Sequence, residues 1–264
     1  MNMESSALLR FNLVETVRAF NRWHKEGYFI ENDGIICAAG TTDFPFGYTN
    51  VSVRVDEAVD PDSAIRKGLS FFKGLGRSFT LMINGKQDAD LENAAIRTGL
   101  VLYEDSPWMI LNNKIAAIEE RTDIRIEQAR NTGDIDKIRS INSQAYESLG
   151  LPSVQTEALY GVPERILSPD TMHFIAYLGG SPVATVMILF TRDVACIGWV
   201  GTVASARGQG IATHLVKTIS NRCFDEGARL VHLQASTMGW PIYEKMGYEA
   251  FDQWKLYCAD ITRI

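Results

Sequence analysis

Between Gly201 and Thr213 the chain reads Gly-Thr-Val-Ala-Ser-Ala-Arg-Gly-Gln-Gly-Ile-Ala-Thr, and this stretch constrains the fold more than any other. It ends an apolar run, Cys196 to Val203, that reads as a strand. It opens a series, Ile211, Leu215, Ile219 and Cys223, spaced four apart with Val216 and Phe224 beside it, which predicts a long amphipathic helix stopped by Gly227. Strand, glycine loop and helix in that order leave the first helical N–H groups and the positive end of the helix dipole facing out of the fold. Gly208 and Gly210 remove side chains that would block close approach, so the loop predicts an anion cradle suited to a pyrophosphate. It is not a dinucleotide fingerprint, because Thr213 stands where the third small residue belongs. It is not a triphosphate-binding loop either, because no Gly-Lys-Ser/Thr follows.

The surrounding elements follow from periodicity. Upstream, Ile124 to Gln128 alternates as a strand, and Asp134 to Ser148 has helical spacing at Ile135, Ile138, Ile141 and Ala145. A break from Gly150 to Ser153 leads into a second helical stretch. His173–Leu178, Ser181–Phe190 and Cys196–Val203 then read as three strands in hairpin succession, the first turn made by Gly179-Gly180. Downstream come a strand at Leu230–Ala235, a short helix opened by Pro241 and stopped by Gly247, and a strand at Tyr248–Tyr257.

The first part of the chain has a similar order: a helix near Ser6–Glu26, strands near Tyr28–Glu31, Gly34–Ala39 and Thr49–Val55, and a helix opened by Asp60-Pro61. A strand at Phe79–Ile83, a short helix at Leu91–Arg97 and a strand at Leu100–Leu111 complete it. The two endings, IRTGLVLYEDSPWMIL from Ile96 and YEKMGYEAFDQWKLY from Tyr243, share a short helix, a glycine, a strand, a tryptophan and an apolar close. We read an internal duplication of one α/β (α+β) domain, with residues 1–121 and 122–264 as the copies and the junction in the polar stretch Glu119–Asp123.

The 264 residues, with 46% hydrophobic and 22% charged, suit an ordinary globular chain and exclude wholesale disorder. The net charge of −6 leaves no basic half to neutralise phosphates, against a nucleic-acid binder. No apolar run is long enough for a membrane span, and the N-terminus lacks the pattern of a secretory signal. The four cysteines (Cys37, Cys196, Cys223, Cys258) and four histidines (His24, His173, His214, His232) are scattered without ligand spacing, so thiols in a reducing cytoplasm and no metal are expected.

Arg207-Gly-Gln-Gly-Ile-Ala212 resembles the acyl-CoA pyrophosphate loop of the GNAT superfamily of N-acetyltransferases, whose pattern is Q/R-x-x-G-x-G/A. SxxGxxxYEKMGY, from Ser236 to Tyr248, resembles that superfamily's second motif, with Ser236, Gly239 and Tyr248 in place of the more usual Asn, Ala and Phe. The element order matches as well, from about Thr122 onward. The resemblance implies a tandem of two GNAT-like domains, each a mixed, mostly antiparallel twisted sheet flanked by helices.

The resemblance also implies acetyl-CoA, or another short acyl-CoA, as co-substrate and no metal. The residues implied to bind it are Thr202, Val203, Arg207, Gly208, Gln209, Gly210, Ile211, Ala212, Thr213 and Ser236. Tyr243 matches the family tyrosine that protonates the departing thiolate, and Gly201 is expected at a bulge that splays the strand. No general base is assigned; His173, His232 and Glu147 are candidates that read more simply as structural or surface groups.

The first copy carries Asp56-Glu-Ala-Val-Asp-Pro-Asp62 in place of the loop, and its carboxylates would repel a pyrophosphate. It is therefore expected to lack the cofactor, and the resemblance to tandem members of the superfamily implies that it shapes the acceptor site or mediates homodimerisation. Phe44, Phe46 and Tyr48 are either cleft-lining or core. The expected activity is acetyl transfer to a primary amine of a small molecule. A non-catalytic acyl-CoA sensor and a protein N-terminal or lysine acetyltransferase remain the alternatives.

Overall fold

The computed structural model describes residues 3–45, 47–116 and 118–260. A long helix α1 (Met3–Trp23) is followed by β1 (Tyr28–Asn32), β2 (Ile35–Ala39), β3 (Asn50–Arg54), α2 (Pro61–Leu75), β4 (Phe79–Asn84), α3 (Ala89–Arg97) and β5 (Val101–Leu111). The second half runs β6 (Ile124–Gln128), α4 (Thr132–Glu147), α5 (Ser153–Leu159), α6 (Pro163–Ile166), β7 (Thr171–Leu178), β8 (Ser181–Thr191) and β9 (Val194–Thr202). It continues through α7 (Ile211–Asp225), β10 (Leu230–Gln234) and α8 (Trp240–Lys245) to β11 (Glu249–Ala259). These elements match the sequence expectations within a few residues, and the turn α6 is added.

Local chemistry sets several boundaries. Asn131 caps α4 by accepting the N–H of Asp134 at 3.1 Å, while the Asp134 carboxylate accepts the N–H of Arg130 at 3.0 Å, a reciprocal cap. Gly179 and Gly180, at φ 57° and 82°, make the tight β7–β8 turn that a side chain would resist. Gly76, at φ 66°, ends α2 in the left-handed conformation.

All eleven strands join one sheet in the order β1-β2-β3-β4-β11-β5-β10-β9-β8-β7-β6. β3–β4 and β9–β10 pair parallel, and the other neighbours are antiparallel. From β1 and from β7 onward the same order, three strands, helix, strand, helix, strand, recurs in the two halves, whereas β6 has no counterpart among the described residues of the first. The polar stretch 119–123 lies between β5 and β6, but the sheet does not divide there. β5, the last strand of the first half, pairs with β10 of the second, and β11, the last strand of the second half, pairs with β4 of the first. Each half lends its final strand to the other, and the two half-sheets meet at the β5–β11 pair. The physical reason is symmetry: β4 and β10 present equivalent open edges, and either final strand satisfies either edge.

Helix α1 reinforces the seam. Leu9, Leu13 and Val17 pack with Val51, Met82 and Trp254, whereas Phe20 and Trp23 pack with Tyr160, Met187 and Trp199. Between them, Asn12 Nδ2 donates to the carbonyls of Leu189 and Val194, each at 3.2 Å, and to Thr191 Oγ1 at 2.7 Å. An N-terminal helix is thereby hydrogen-bonded to the hairpin that carries the C-terminal site.

Candidate active site

The site begins where two parallel strands part. β9 and β10 pair from Val194↔Leu230 to Cys196↔His232 and no further. Beyond Cys196, β9 pairs with β8 alone, with the Tyr146 hydroxyl donating to its Val200 carbonyl at 3.3 Å, so its other edge from residue 197 to 202 faces a wedge-shaped gap. A bulge drives the parting: the β8–β9 register slips between Thr185↔Gly201 and Met187↔Gly198, and Trp199 sits at φ +49°. The bulge therefore falls at Trp199–Val200 and not at Gly201. A tryptophan holds this strained conformation because its ring is wedged against Tyr146 (4.7 Å between centroids), Tyr160 (5.8 Å) and Phe20 (6.3 Å). Gly201 matters for packing instead, because a Cβ there would lie 2.5 Å from Asn142 Oδ1, and its absence lets α4 rest on β9.

The chain leaves β9 through a short turn at Ala204–Ala206 and reaches Gly208 and Gly210, at φ +74° and +73°. Gly210 is the N-cap of α7 and supplies no capping side chain, so the first-turn N–H groups of Ile211, Ala212 and Thr213 remain available to an anion. The equivalent turn in the first half is closed. Asp60 caps α2 by accepting the N–H of Ser63 at 2.9 Å, and Pro61 at the first position has no N–H to offer.

A cavity of about 380 Å³ follows this loop, and one of about 450 Å³ continues from it. Both are bordered by Tyr146, Leu149, Val200, Ser236 and Tyr243, so they meet at Tyr243. Of the residues expected to bind cofactor, Thr202, Arg207, Gly208, Gly210, Ile211, Ala212, Thr213 and Ser236 line the first cavity. Val203 and Gln209 do not. The Val203 N–H is spent on the carbonyl of Val183 at 3.0 Å, and the Gln209 side chain donates to the Ser205 carbonyl at 3.2 Å.

Arg207 is turned away from the anion cradle. Its guanidinium donates to the carbonyls of Thr202 (3.1 Å) and Ala145 (3.0 Å) and to Ser148 Oγ (2.7 Å), tying the loop to the C-terminal turn of α4. The cation beside the loop is instead Arg121, which donates to the Gln209 carbonyl at 3.0 Å while paired with Asp123 at 2.7 Å. Sequence reasoning missed it by treating residues 119–123 only as a junction. His214 lies beside it, and partial burial together with Arg121 pushes its imidazole below the ordinary value.

Tyr243 projects from α8, its ring 5.8 Å from that of Tyr248. Burial pushes its phenol up to about 12, so it carries its proton at neutral pH. Gly239 makes room for it: a Cβ there would lie 2.8 Å from Tyr243 Cε2 and 3.2 Å from Ser236 Oγ.

The candidate bases do not reach this place. His232 is locked, with Nδ1 accepting from Trp108 Nε1 at 3.0 Å and Nε2 facing Asn12 Oδ1 at 2.9 Å, and burial lowers it to about 3. His173, also lowered to about 3, is enclosed against Trp23 and Tyr160 with both ring nitrogens unpartnered. Glu147 is exposed and borders neither cavity.

Residues that the sequence did not bring together form the second cavity. Phe20 of α1, Tyr48, and Tyr103 and Glu104 of β5 come from the first half and face Tyr146, Trp199 and Trp254 from the second. Tyr48 thus lines the cleft, Phe44 packs beside the second-half core, and Phe46 lies outside the described residues. Cys196 forms part of the wall, its thiol pushed up to about 12 by burial and so protonated. Among the described residues no cluster of metal-ligating side chains occurs, and no helix is long and apolar enough to cross a membrane.

A splayed parallel pair, an uncapped helix start behind a glycine loop and a tyrosine on the following short helix therefore lie together at one end of the sheet. The sequence model of the Acetyltransferase (GNAT) family matches residues 135–248. Three solved structures share the fold. A GCN5-related N-acetyltransferase from Kribbella flavida superimposes with a TM-score of 0.74 at 17% identity, over 98% of this chain and 96% of that one. A GCN5-related N-acetyltransferase from Sphaerobacter thermophilus gives 0.61 at 14%, over 86% and 81%. A tandem GNAT protein from the clavulanic acid biosynthesis pathway gives 0.61 at 12%, over 88% and 82%. The fold of the whole chain is thus shared with that tandem GNAT protein. No curated protein matches.

Proposed function

We propose that this protein transfers an acetyl group from acetyl-CoA to a primary amine of a small molecule, in a ternary complex formed across the two joined cavities. The observation that carries the proposal is their meeting at Tyr243: an anion-receiving groove on one side, an aromatic-walled pocket on the other, and a protonated phenol between them.

The residues present fit the co-substrate. The uncapped N–H groups at 211–213 and the bare backbone at Gly208 and Gly210 suit a diphosphate, and Arg121 adds a positive charge beside it. The unpaired edge of β9 suits an extended pantetheine arm, which would pair with it as a strand would. When bound, acetyl-CoA supplies an electrophilic thioester carbonyl. The backbone N–H groups of β9 near Val200 would polarise that carbonyl, an oxyanion-hole role. The neutral amine, having released its ammonium proton to solvent, would attack the carbonyl carbon; as the carbon–nitrogen bond forms and the carbon–sulfur bond breaks, Tyr243 would give its proton to the leaving sulfur, and the proton shed by the new amide nitrogen would restore the phenol through solvent. The first half, with its helix start capped by Asp60, takes no cofactor in this scheme and walls the acceptor pocket.

Release of free thiol from acetyl-CoA across a panel of amines tests the activity. Tyr243→Phe is expected to lower kcat by about 10²-fold or more while acetyl-CoA affinity changes less than about threefold. Wild-type turnover in this variant would remove the acid role, and no turnover with any amine would remove the transferase reading.

A further inference from the structure

The second cavity has a composition that says what it can hold. Its volume of about 450 Å³ is that of a small-ligand site. Its wall is a run of aromatic rings in mutual contact: Trp254 stacks on Tyr48 (5.6 Å, 15°), Tyr48 meets Phe20 (5.2 Å), Phe20 approaches Trp199 (6.3 Å), and Trp199 meets Tyr146 (4.7 Å). Among the described residues lining it there is no lysine, arginine or histidine, and there is one carboxylate, Glu104.

Glu104 is placed there by the strand exchange. β5 is inserted between β11 and β10, and this carries a first-half residue into the pocket beside the second-half catalytic groove. One carboxylate oxygen accepts the hydroxyl of Ser106 at 2.7 Å. Among the described residues the group has no ion pair, and burial raises its carboxyl above the ordinary value. A half-buried carboxylate without a counter-ion is costly, and a cationic ligand would supply the missing partner. Aromatic faces around the same space favour a cation through their quadrupoles and favour apolar substance through burial. An anionic substituent would find no cation among the described lining residues and would face Glu104. One polar neutral contact is also open: Gln234 accepts the Tyr48 hydroxyl through Oε1 at 2.9 Å, while its buried Nε2 has no partner.

We propose that the acceptor is a primary amine bound as an ammonium monocation on an apolar or aromatic body, without a carboxylate or phosphate, and that Glu104 is the residue that selects it. This rests on the acyl-transfer reading for the identity of the pocket as the acceptor site. The selection works against amino acids and sugar phosphates, whose amines come with an anion. It also gives the first half a direct part in specificity.

The test is calorimetric titration of the full chain with 2-phenylethylamine, tyramine, hexylamine and phenylalanine, alone and with CoA present, repeated with Glu104→Gln. At least one of the three monocations is expected to bind, with phenylalanine weaker than 2-phenylethylamine by on the order of tenfold or more. Glu104→Gln, which keeps the shape and the Ser106 contact, is expected to weaken the monocation by on the order of tenfold while acetyl-CoA affinity stays unchanged. Retained acetyl-CoA affinity also certifies that the variant is folded. Binding of none of the three monocations, equal binding of phenylalanine, or an unaltered amine affinity in Glu104→Gln overturns the proposal. Failure of acetyl-CoA itself to bind would instead overturn the acyl-transfer reading, so the two failures are distinguishable.

Discussion

Acidification from pH 7 to pH 5 is expected to cost this fold about 6 kcal/mol, and three histidines supply the figure. His24, His173 and His232 are buried, and burial lowers their imidazoles from 6.5 to about 4, about 3 and about 3. Each is neutral in the folded protein throughout this range, whereas the unfolded chain takes up protons below pH 6.5. The unfolded state therefore gains, and stability falls as the pH drops through the window from 6.5 toward 3. At pH 5, one and a half units below the unfolded value, each site contributes about 2 kcal/mol, which is comparable in sum to the whole stability of a typical domain. Glu104, raised by burial, works in the opposite direction but is a single group.

The assay is urea unfolding followed by tryptophan fluorescence at pH 7, 6 and 5. His173→Phe sharpens it: both ring nitrogens lack partners, so the apolar ring loses no hydrogen bond. It should leave stability at pH 7 unchanged or improved and remove about a third of the acid slope. His232→Phe should remove a similar share of the slope but cost about 2 kcal/mol or more at pH 7, because Trp108 Nε1 and Asn12 Oδ1 lose their partner. A loss below about 1.5 kcal/mol between pH 7 and 5, or an unaltered slope in His173→Phe, would refute the reasoning.

Two further substitutions probe the groove. Arg207→Ala removes the contacts to Thr202, Ala145 and Ser148 that hold the loop on α4. It should raise the KM for acetyl-CoA several-fold and lower stability by about 1 kcal/mol, with a smaller effect on kcat. Steady-state kinetics alongside urea unfolding reads both. Gly239→Ala places a methyl 2.8 Å from the Tyr243 ring and should displace it, lowering kcat about tenfold or more with little change in stability, as thiol release and thermal melting would show.

Much of the architecture was legible because periodicity and punctuation agree locally. Gly179-Gly180 announces a hairpin, Asp60-Pro61 a helix start, and the four-residue spacing of Ile211, Leu215 and Ile219 a buried helix face. The anion cradle was legible for the same reason, since it is a short contiguous segment with backbone chemistry. The strand exchange was not, because β5 and β11 are near-equivalent in pattern and nothing local distinguishes the edge of β4 from that of β10. The true position of the bulge was hidden because Trp199 is forced to a positive φ by tertiary packing, which no propensity encodes. The second cavity was invisible for a related reason: Phe20, Tyr48, Glu104 and Trp254 lie in four separate segments and converge only through the exchanged sheet. Arg207 fitted the motif and yet its guanidinium serves the loop's anchoring, while Arg121 carries the charge beside it.

The most direct test of the account is a crystal structure of the full chain grown with acetyl-CoA. The diphosphate is expected within about 3.5 Å of backbone nitrogens between residues 208 and 213, the pantetheine along the free edge of β9, and the sulfur within reach of the Tyr243 hydroxyl. A diphosphate bound elsewhere, or a thioester buried away from Tyr243 with the aromatic pocket closed to it, would contradict it.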